Sequence, residues 1–183
     1  AKLPQHMYAM LAATAGVTSV SVAGDTVDAL PVMVPSDKSV FGEAHYSFTL
    51  APTLGFDHAE ATGAALPADY ELAAWAPDAL LGPAWPAIYA ALGSAIHNDY
   101  PVIEGLLNAV HLDHSITLEY TPEQMLERGI TTIDVTSHVA AVDESSSGRI
   151  VTVALDLKAN GEHVGSTQER FAIRGRATGN RAP

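Results

Sequence analysis

The sequence predicts an α+β fold in which a curved antiparallel sheet encloses one central helix. Three observations support this class: a half-buried strand pattern at residues 43–50, an apolar helix pattern that begins near Pro86, and four strand patterns after it. The helix pattern has so few polar side chains on any face that other structure must enclose it. The neighbouring strands are the candidates for that role.

The central helix is expected to begin at Pro86, because proline is favoured in the first helical turn. Ile88, Leu92 and Ala95 then follow at the spacing of one helical face. Apolar residues between Val102 and 110 predict a second, short helix that leads the chain into the next strand.

The sequence also predicts one hairpin turn between strands and one irregularity within a strand. Asn160-Gly161 predicts a type I′ hairpin turn, since both central residues of that turn need left-handed backbone angles. In the last strand the alternation changes parity between Val164 and Phe171, which predicts a β-bulge near residues 165–168. The predicted strands cover residues 43–50, 110–119, 131–142, 149–159 and 162–174.

The length of 183 residues suits one domain with a single core. We divide the chain into an N-terminal extension at residues 1–42, the α+β domain at 43–176 and a C-terminal linker at 177–183. Proline and glycine breaks at residues 51–82 predict a long covering segment inside the domain. The linker-like composition of the C-terminus and a first residue other than Met suit a fragment of a larger chain, although a processed or engineered terminus explains the same facts.

Composition excludes several function classes. Lys and Arg number 9 against 21 Asp and Glu, so the formal charge of −12 repels nucleic acid and anionic membranes. The absence of cysteine excludes disulfides, thiolate metal sites and a cysteine nucleophile. No apolar run approaches the roughly 18 residues that span a bilayer. These features favour a cytoplasmic location.

Several motifs resemble those of a known family. A strand, a buried helix and four antiparallel strands is the element order of a hot-dog fold. Within that fold, residues 81–176 resemble the first, non-catalytic hot-dog of the dehydratase region in type I fatty acid synthases, especially the actinobacterial kind, and are similar to the N-terminal halves of MaoC-like enzymes. The resemblance is carried by Pro-Ala-Trp-Pro-Ala-Ile (83–88), Gly-Ser-Ala (93–95), Pro-Val-Ile-Glu-Gly-Leu-Leu (101–107), Val-His-Leu-Asp-His (110–114) and Glu-Arg-Phe-Ala-Ile-Arg-Gly-Arg (169–176).

The resemblance implies a role without catalysis. The catalytic half of such enzymes carries an Asp-x-Asn-Pro-x-His run, because water elimination from a 3-hydroxyacyl thioester needs a positioned acid and base. This sequence contains no Asn-Pro pair, so no catalytic residue is expected. The implied partners are a catalytic hot-dog of the same polypeptide or complex and the acyl carrier protein, within a homo-oligomer. The substrate would be carried on the carrier's phosphopantetheine, with no cofactor bound directly.

Four residues at the start of the helix are predicted to bind the acyl chain: Trp85, Ile88, Tyr89 and Leu92. Aromatic and aliphatic residues at helical spacing also form ordinary core, which is the competing interpretation.

The His111-Leu112-Asp113-His114 run suggests either a metal site or a catalytic pair. In a regular strand His111 and Asp113 share one face, as a candidate polar pair, and His114 points to the other face in an apolar row. The two imidazoles then meet at one ion only if the strand has a bulge. We therefore expect no metal site, and His114 is expected to be a core histidine.

Two further polar features are weaker candidates. Glu104, after the helix, has the residue type of a hot-dog catalytic carboxylate but also suits a cap or packing role. Arg170, Arg174, Arg176 and Arg181 form the one basic region and are a candidate surface for an acidic carrier protein, or simply a solvated strand end.

Two other function classes remain open. A dimeric stand-alone thioesterase or enoyl-thioester hydratase would use Glu104, or His111 with Asp113. A structural scaffold inside a megasynthase would instead leave the helix sealed, without a tunnel.

Overall fold

A computed structural model describes residues 20–22, 25–27, 32–34, 43–64, 76–98, 100–103 and 109–174. The strands are Val20–Val22 (β1), Asp25–Val27 (β2), Val32–Val34 (β3), Glu43–Thr49 (β4), Ile96–His97 (β5), Tyr100–Pro101 (β6), Ala109–Leu118 (β7), Thr132–Ser145 (β8), Gly148–Ala159 (β9) and Glu162–Arg174 (β10). The helices are Leu54–Thr62 (α1), Leu81–Ser94 (α2) and Pro122–Glu127 (α3), and a 3₁₀ turn at Pro77–Leu80 leads into α2.

The main sheet is antiparallel, with the strand order β3-β4-β8-β9-β10-β7. Its five longer strands curve around α2, so the chain has the hot-dog fold that the sequence predicts. Strands β1 with β2, and β5 with β6, form two separate two-stranded ladders. Strand β7 lies at one edge of the main sheet.

The core lies between α2 and the concave face of the sheet. Helix α2 contributes fully buried alanine, isoleucine and leucine side chains, and β8, β9 and β10 contribute mainly β-branched and leucine side chains. The buried Ser137 of β8 donates a hydrogen bond of 2.7 Å to the carbonyl of Ala87 in α2. A buried hydroxyl needs such a partner, and this bond joins the helix directly to the sheet.

The start of the central helix differs from the prediction. Helix α2 begins at Leu81, so Pro86 lies inside the helix and not in its first turn. Gly82, one of the breaks predicted at residues 51–82, forms part of the helix. Because Pro86 has no N–H, it cannot donate the usual helical hydrogen bond to the carbonyl of Gly82.

The covering segment contains a helix, α1, that the sequence did not predict. Gly63 ends it with a left-handed φ of 72°, and its N–H bonds to the carbonyls of Ala59 and Glu60. The glycine that suggested a break is therefore the C-terminal cap of the helix.

The hairpin and bulge predictions are confirmed with one adjustment. Asn160 and Gly161 have φ angles of 53° and 84°, as a type I′ turn requires. The pairing of β10 with β9 shifts between His163 and Gly165, one residue earlier than expected. Val164 and Gly165 are both buried there, which explains the change of parity in the sequence.

Some predictions concern residues that lie outside the described part of the chain. These are most of the second short helix and the linker at 177–183. The division at residue 42 remains a prediction, although β3, which precedes it, pairs with β4 in the main sheet.

The buried face of α2 allows a direct test of the fold. Ile88 is fully buried in the core, whereas Ile96 just beyond the helix is 50% exposed. Ile88→Ala should lower the free energy of unfolding by about 2–5 kcal/mol, because it removes buried methyl groups and leaves a cavity. Ile96→Ala, the matched control, should change it by less than about 0.5 kcal/mol. Urea unfolding measures both, and equal losses would contradict the placement of α2.

Candidate functional site

A β-bulge in the edge strand β7 creates the most distinctive polar site in the described structure. Asp113 pairs with Arg170 of β10, and His111 pairs with Phe171, so Leu112 has no partner in the register. The extra residue turns His111 and His114 to the same, helix-facing side of the sheet, because one residue is lost from the alternation between them.

Glu169 of β10 lies beside these histidines. Its side chain is completely buried, and its Oε2 atom lies 2.9 Å from Nε2 of His111. Its other oxygen, Oε1, accepts a hydrogen bond of 2.8 Å from the hydroxyl of Thr167. Partners on both oxygens are what a buried carboxylate requires. We call His111, His114, Thr167 and Glu169 the histidine–glutamate cluster.

Aromatic side chains border the histidine–glutamate cluster. The ring centroid of Trp85, near the start of α2, lies 6.0 Å from that of His111, 5.8 Å from Phe171 and 5.2 Å from Tyr89. Partial burial raises the pKa of the Tyr89 phenol, which therefore stays protonated at neutral pH. The arrangement combines an apolar wall with a histidine–carboxylate pair, which can move a proton or hold a cation.

The predicted acyl-binding residues fall into two groups. Trp85 and Tyr89 are partly buried, whereas Ile88 and Leu92 are completely enclosed by the core. Trp85 and Tyr89 therefore reach the edge of the site, and the other two face the interior. Acyl binding by any of the four remains a prediction.

The predicted pair of His111 and Asp113 is wrong. Asp113 lies on the opposite face of the sheet, where its carboxylate accepts hydrogen bonds from Nε of Arg170 at 2.7 Å and from Nη2 of the same side chain. The expectation that His114 is a core residue is also wrong, since His114 is exposed. Both errors have one cause, because strict strand alternation does not hold across the bulge at Leu112.

The remaining polar candidates are only partly described. Glu104, Arg176 and Arg181 lie outside the described residues. Arg170 is paired with Asp113, which reduces the positive charge available on the predicted basic region. Sequence reasoning missed Glu169, although a signal was present: it is a charged residue in a row of alternate positions with Thr167, Phe171 and Ile173.

The edge strand β7 carries apolar side chains that are exposed to solvent. Val110 is 49% exposed and Leu112 is 44% exposed. Among the described strands, none pairs with this edge. An apolar strand edge of this kind favours pairing with another chain or domain.

Comparisons with known proteins find solved structures with a similar fold. No protein-family model matches the sequence, and no curated protein matches it. A C-terminally truncated HadBC complex, a 3R-hydroxyacyl-ACP dehydratase from Mycobacterium tuberculosis, aligns with a TM-score of 0.49 and 10% identity over 79% of this chain and 97% of that chain.

Two further structures align at similar levels. The monoamine oxidase regulatory protein from Archaeoglobus fulgidus gives a TM-score of 0.48 and 14% identity over 75% of this chain and 92% of that chain. The Escherichia coli PaaI protein gives a TM-score of 0.41 and 12% identity over 80% of this chain and 81% of that chain. Because these TM-scores are below 0.5, we assign the hot-dog fold from the strand order and the packing of α2.

None of the helices in the described residues has the length and apolar character needed to cross a membrane.

The pairing of Asp113 with Arg170 generates a titration prediction. The Arg170 guanidinium lowers the pKa of the Asp113 carboxyl, chiefly through its hydrogen bonds. This pair should therefore contribute to stability above about pH 4 and lose that contribution as the pH falls through the lowered native pKa. In Arg170→Gln, carbon-13 NMR should show Asp113 titrating at a higher pH than in the wild type.

Arg128→Gln is the control for this titration, since Arg128 lies over the Tyr120 ring at 3.9 Å and makes a cation–π contact there. An unchanged Asp113 titration in Arg170→Gln would show that the pair does not form in solution.

Proposed function

We propose that this chain is the non-catalytic hot-dog half of the 3-hydroxyacyl-thioester dehydratase region of a multifunctional fatty acid synthase. The observation that supports this proposal is a hot-dog fold built around the Pro-Ala-Trp-Pro-Ala-Ile helix in a sequence without any Asp-x-Asn-Pro-x-His run. The chain has the architecture of a thioester-handling fold but lacks the acid–base run of the catalytic half.

The proposed division of work follows from the chemistry. Elimination of water from a 3-hydroxyacyl thioester needs an acid and a base held near the two reacting carbons, and the partner hot-dog would supply them. This chain would supply apolar surface for the acyl chain, with Trp85 and Tyr89 at the entrance. The thioester would arrive on the phosphopantetheine of an acyl carrier protein, and no cofactor would bind to this chain directly.

The edge of β7 is the proposed contact with the catalytic hot-dog. Val110 and Leu112 present apolar surface beside a strand edge that no described strand pairs with, and a neighbouring domain could cover both. The same contact would continue into a homo-oligomeric assembly in the cytoplasm. The carrier protein would also dock on this assembly. We assign it no surface on this chain, because Arg170 of the predicted basic region is already paired with Asp113.

A second candidate function is an independent thioesterase or enoyl-thioester hydratase that acts as a dimer. The contact of 2.9 Å between His111 Nε2 and Glu169 Oε2 favours it, because a carboxylate can orient an imidazole as a general base. Under this alternative the purified chain would be active alone. Under the scaffold alternative, neither the chain nor its aromatic entrance would touch the substrate.

The first functional prediction separates these candidates. The purified chain should show no hydration of a trans-2-enoyl thioester and no thioester hydrolysis above the uncatalysed rate. Co-expression with a hot-dog carrying the Asp-x-Asn-Pro-x-His run should give an active complex that copurifies with the chain. Loss of enoyl absorbance measures hydration, and a thiol reagent measures hydrolysis.

The control for this assay is Glu169→Gln, which retains side-chain volume and removes the charge. Turnover by the chain alone that falls at least tenfold in Glu169→Gln would overturn the proposal in favour of the independent enzyme.

The second functional prediction concerns the length of the acyl chain. In the active complex, Trp85→Ala should lower kcat/KM about tenfold or more for a long acyl chain and less than about threefold for a four-carbon substrate. This follows because each buried methylene contributes about 0.8 kcal/mol of apolar contact. Tyr120→Ala is the control, since Tyr120 follows the far end of β7 and packs against Arg128. Equal losses for long and short substrates would favour the scaffold.

A further inference from the structure

The histidine–glutamate cluster contains three side chains of the types that bind metal ions. His111, His114 and Glu169 each offer one ligand atom, and these three atoms all lie within 4.8 Å of one another. The two imidazole rings are nearly parallel, with an interplanar angle of 8° and centroids 5.9 Å apart. The three ligand atoms are therefore close enough for one small cation to reach all of them once the exposed ring of His114 turns towards the other two.

We propose that His111, His114 and Glu169 bind a divalent transition-metal ion, with Zn²⁺ as the ion that best suits them. Two imidazoles and one carboxylate form a common ligand set for zinc sites that keep a fourth position open. This proposal goes beyond the proposed function, because neither the acyl-binding role nor the dehydratase partner requires a metal.

Zinc binding would require only small movements of the three ligand atoms. In a tetrahedral zinc site the ligand atoms lie about 3.3 Å apart, given metal–ligand bonds of about 2.0–2.2 Å. His111 Nε2 and Glu169 Oε2, at 2.9 Å, are about 0.4 Å closer than that and would move slightly apart as the ion replaces their hydrogen bond. Because the three ligand atoms lie within 4.8 Å of one another, the imidazole of His114 must move inward by about 1.5 Å at most. Because His114 is exposed at the edge strand, a rotation of its side chain can supply this movement.

The surroundings of Glu169 support a metal ligand. Its carboxylate is completely buried, and buried charges in proteins are normally paired or coordinated to metals. The Thr167 hydroxyl donates to Oε1 and leaves Oε2 directed at His111. A hydrogen bond to the second oxygen of a ligating carboxylate is a common way to orient it.

The β-bulge at Leu112 brings the three ligands together. Without the bulge His114 would point away from His111, and no pair of imidazoles would share a face. Bulges often redirect a side chain at functional sites. In a regular strand the two imidazoles would lie on opposite faces, whereas the bulge places both on one face beside Glu169.

A second histidine–carboxylate pair in the chain provides a matched control. His163 Nδ1 lies 2.7 Å from Asp156 Oδ1, but the ammonium group of Lys158 lies 3.2 Å from the other oxygen of the same carboxylate. The lysine cation already occupies the place of a metal there. His163→Gln should therefore leave zinc binding unchanged.

The test measures zinc binding by metal-free protein. Isothermal titration with Zn²⁺ should give one ion per chain in the wild type and in His163→Gln. His114→Asn and Glu169→Gln should each weaken zinc binding tenfold or more. Replacement by Co²⁺ should give the visible absorption of a tetrahedral nitrogen–oxygen site in the wild type, and this absorption should be lost in His114→Asn.

Several outcomes would overturn the proposal: no zinc binding by the wild type at micromolar concentration, equal binding by His114→Asn, or loss of binding in His163→Gln. Glu169→Gln is interpreted only if its circular dichroism matches the wild type, whereas the exposed His114 keeps the test decisive if the glutamate variant fails to fold. Zinc binding is measured without substrate, so its failure is distinct from failure of the proposed function.

Discussion

The enclosure of α2 by a single curved sheet is the constraint on which the rest of the structure depends. The helix contains no charged residue, and its buried face is rich in alanine, which lets the sheet approach its backbone closely. The hydrogen bond from Ser137 to the carbonyl of Ala87 shows how close that approach is. An antiparallel sheet must bend strongly to surround a helix in this way, and irregular positions allow it to bend.

The bulges have structural and chemical consequences. Register shifts at Ala140 and Val164 interrupt the pairing of β9 with its two neighbours, and the shift at Leu112 interrupts the pairing of β10 with β7. Bulges bend a strand and increase its twist, which helps the sheet to close around the helix. At Leu112 the same irregularity also brings two histidines to the buried carboxylate of Glu169. The polar cluster is thus a product of the curvature that the core requires.

Strand β7 contributes residues both to the proposed contact with a catalytic hot-dog and to the proposed metal site. Its helix-facing side carries His111 and His114, and its exposed edge carries Val110 and Leu112. A catalytic hot-dog that covered this edge would lie close to His114 and would change the exposure of the cluster. The supporting role and the metal site therefore involve the same strand, although they rest on different atoms of it.

The sequence by itself determined the order of the central helix and the five long strands, the apolar character of that helix, the Asn160-Gly161 turn and the absence of an Asp-x-Asn-Pro-x-His run. These features depend on local backbone preferences and on short-range periodicity, which the order of residues specifies directly. Only the tertiary structure decided which faces of β7 carry His111, Asp113 and His114. One unpaired residue in a strand reverses every side chain beyond it, and the pairing with β10 determines where that residue lies. Burial of Glu169 likewise depends on strands and a helix that are distant from it in the sequence.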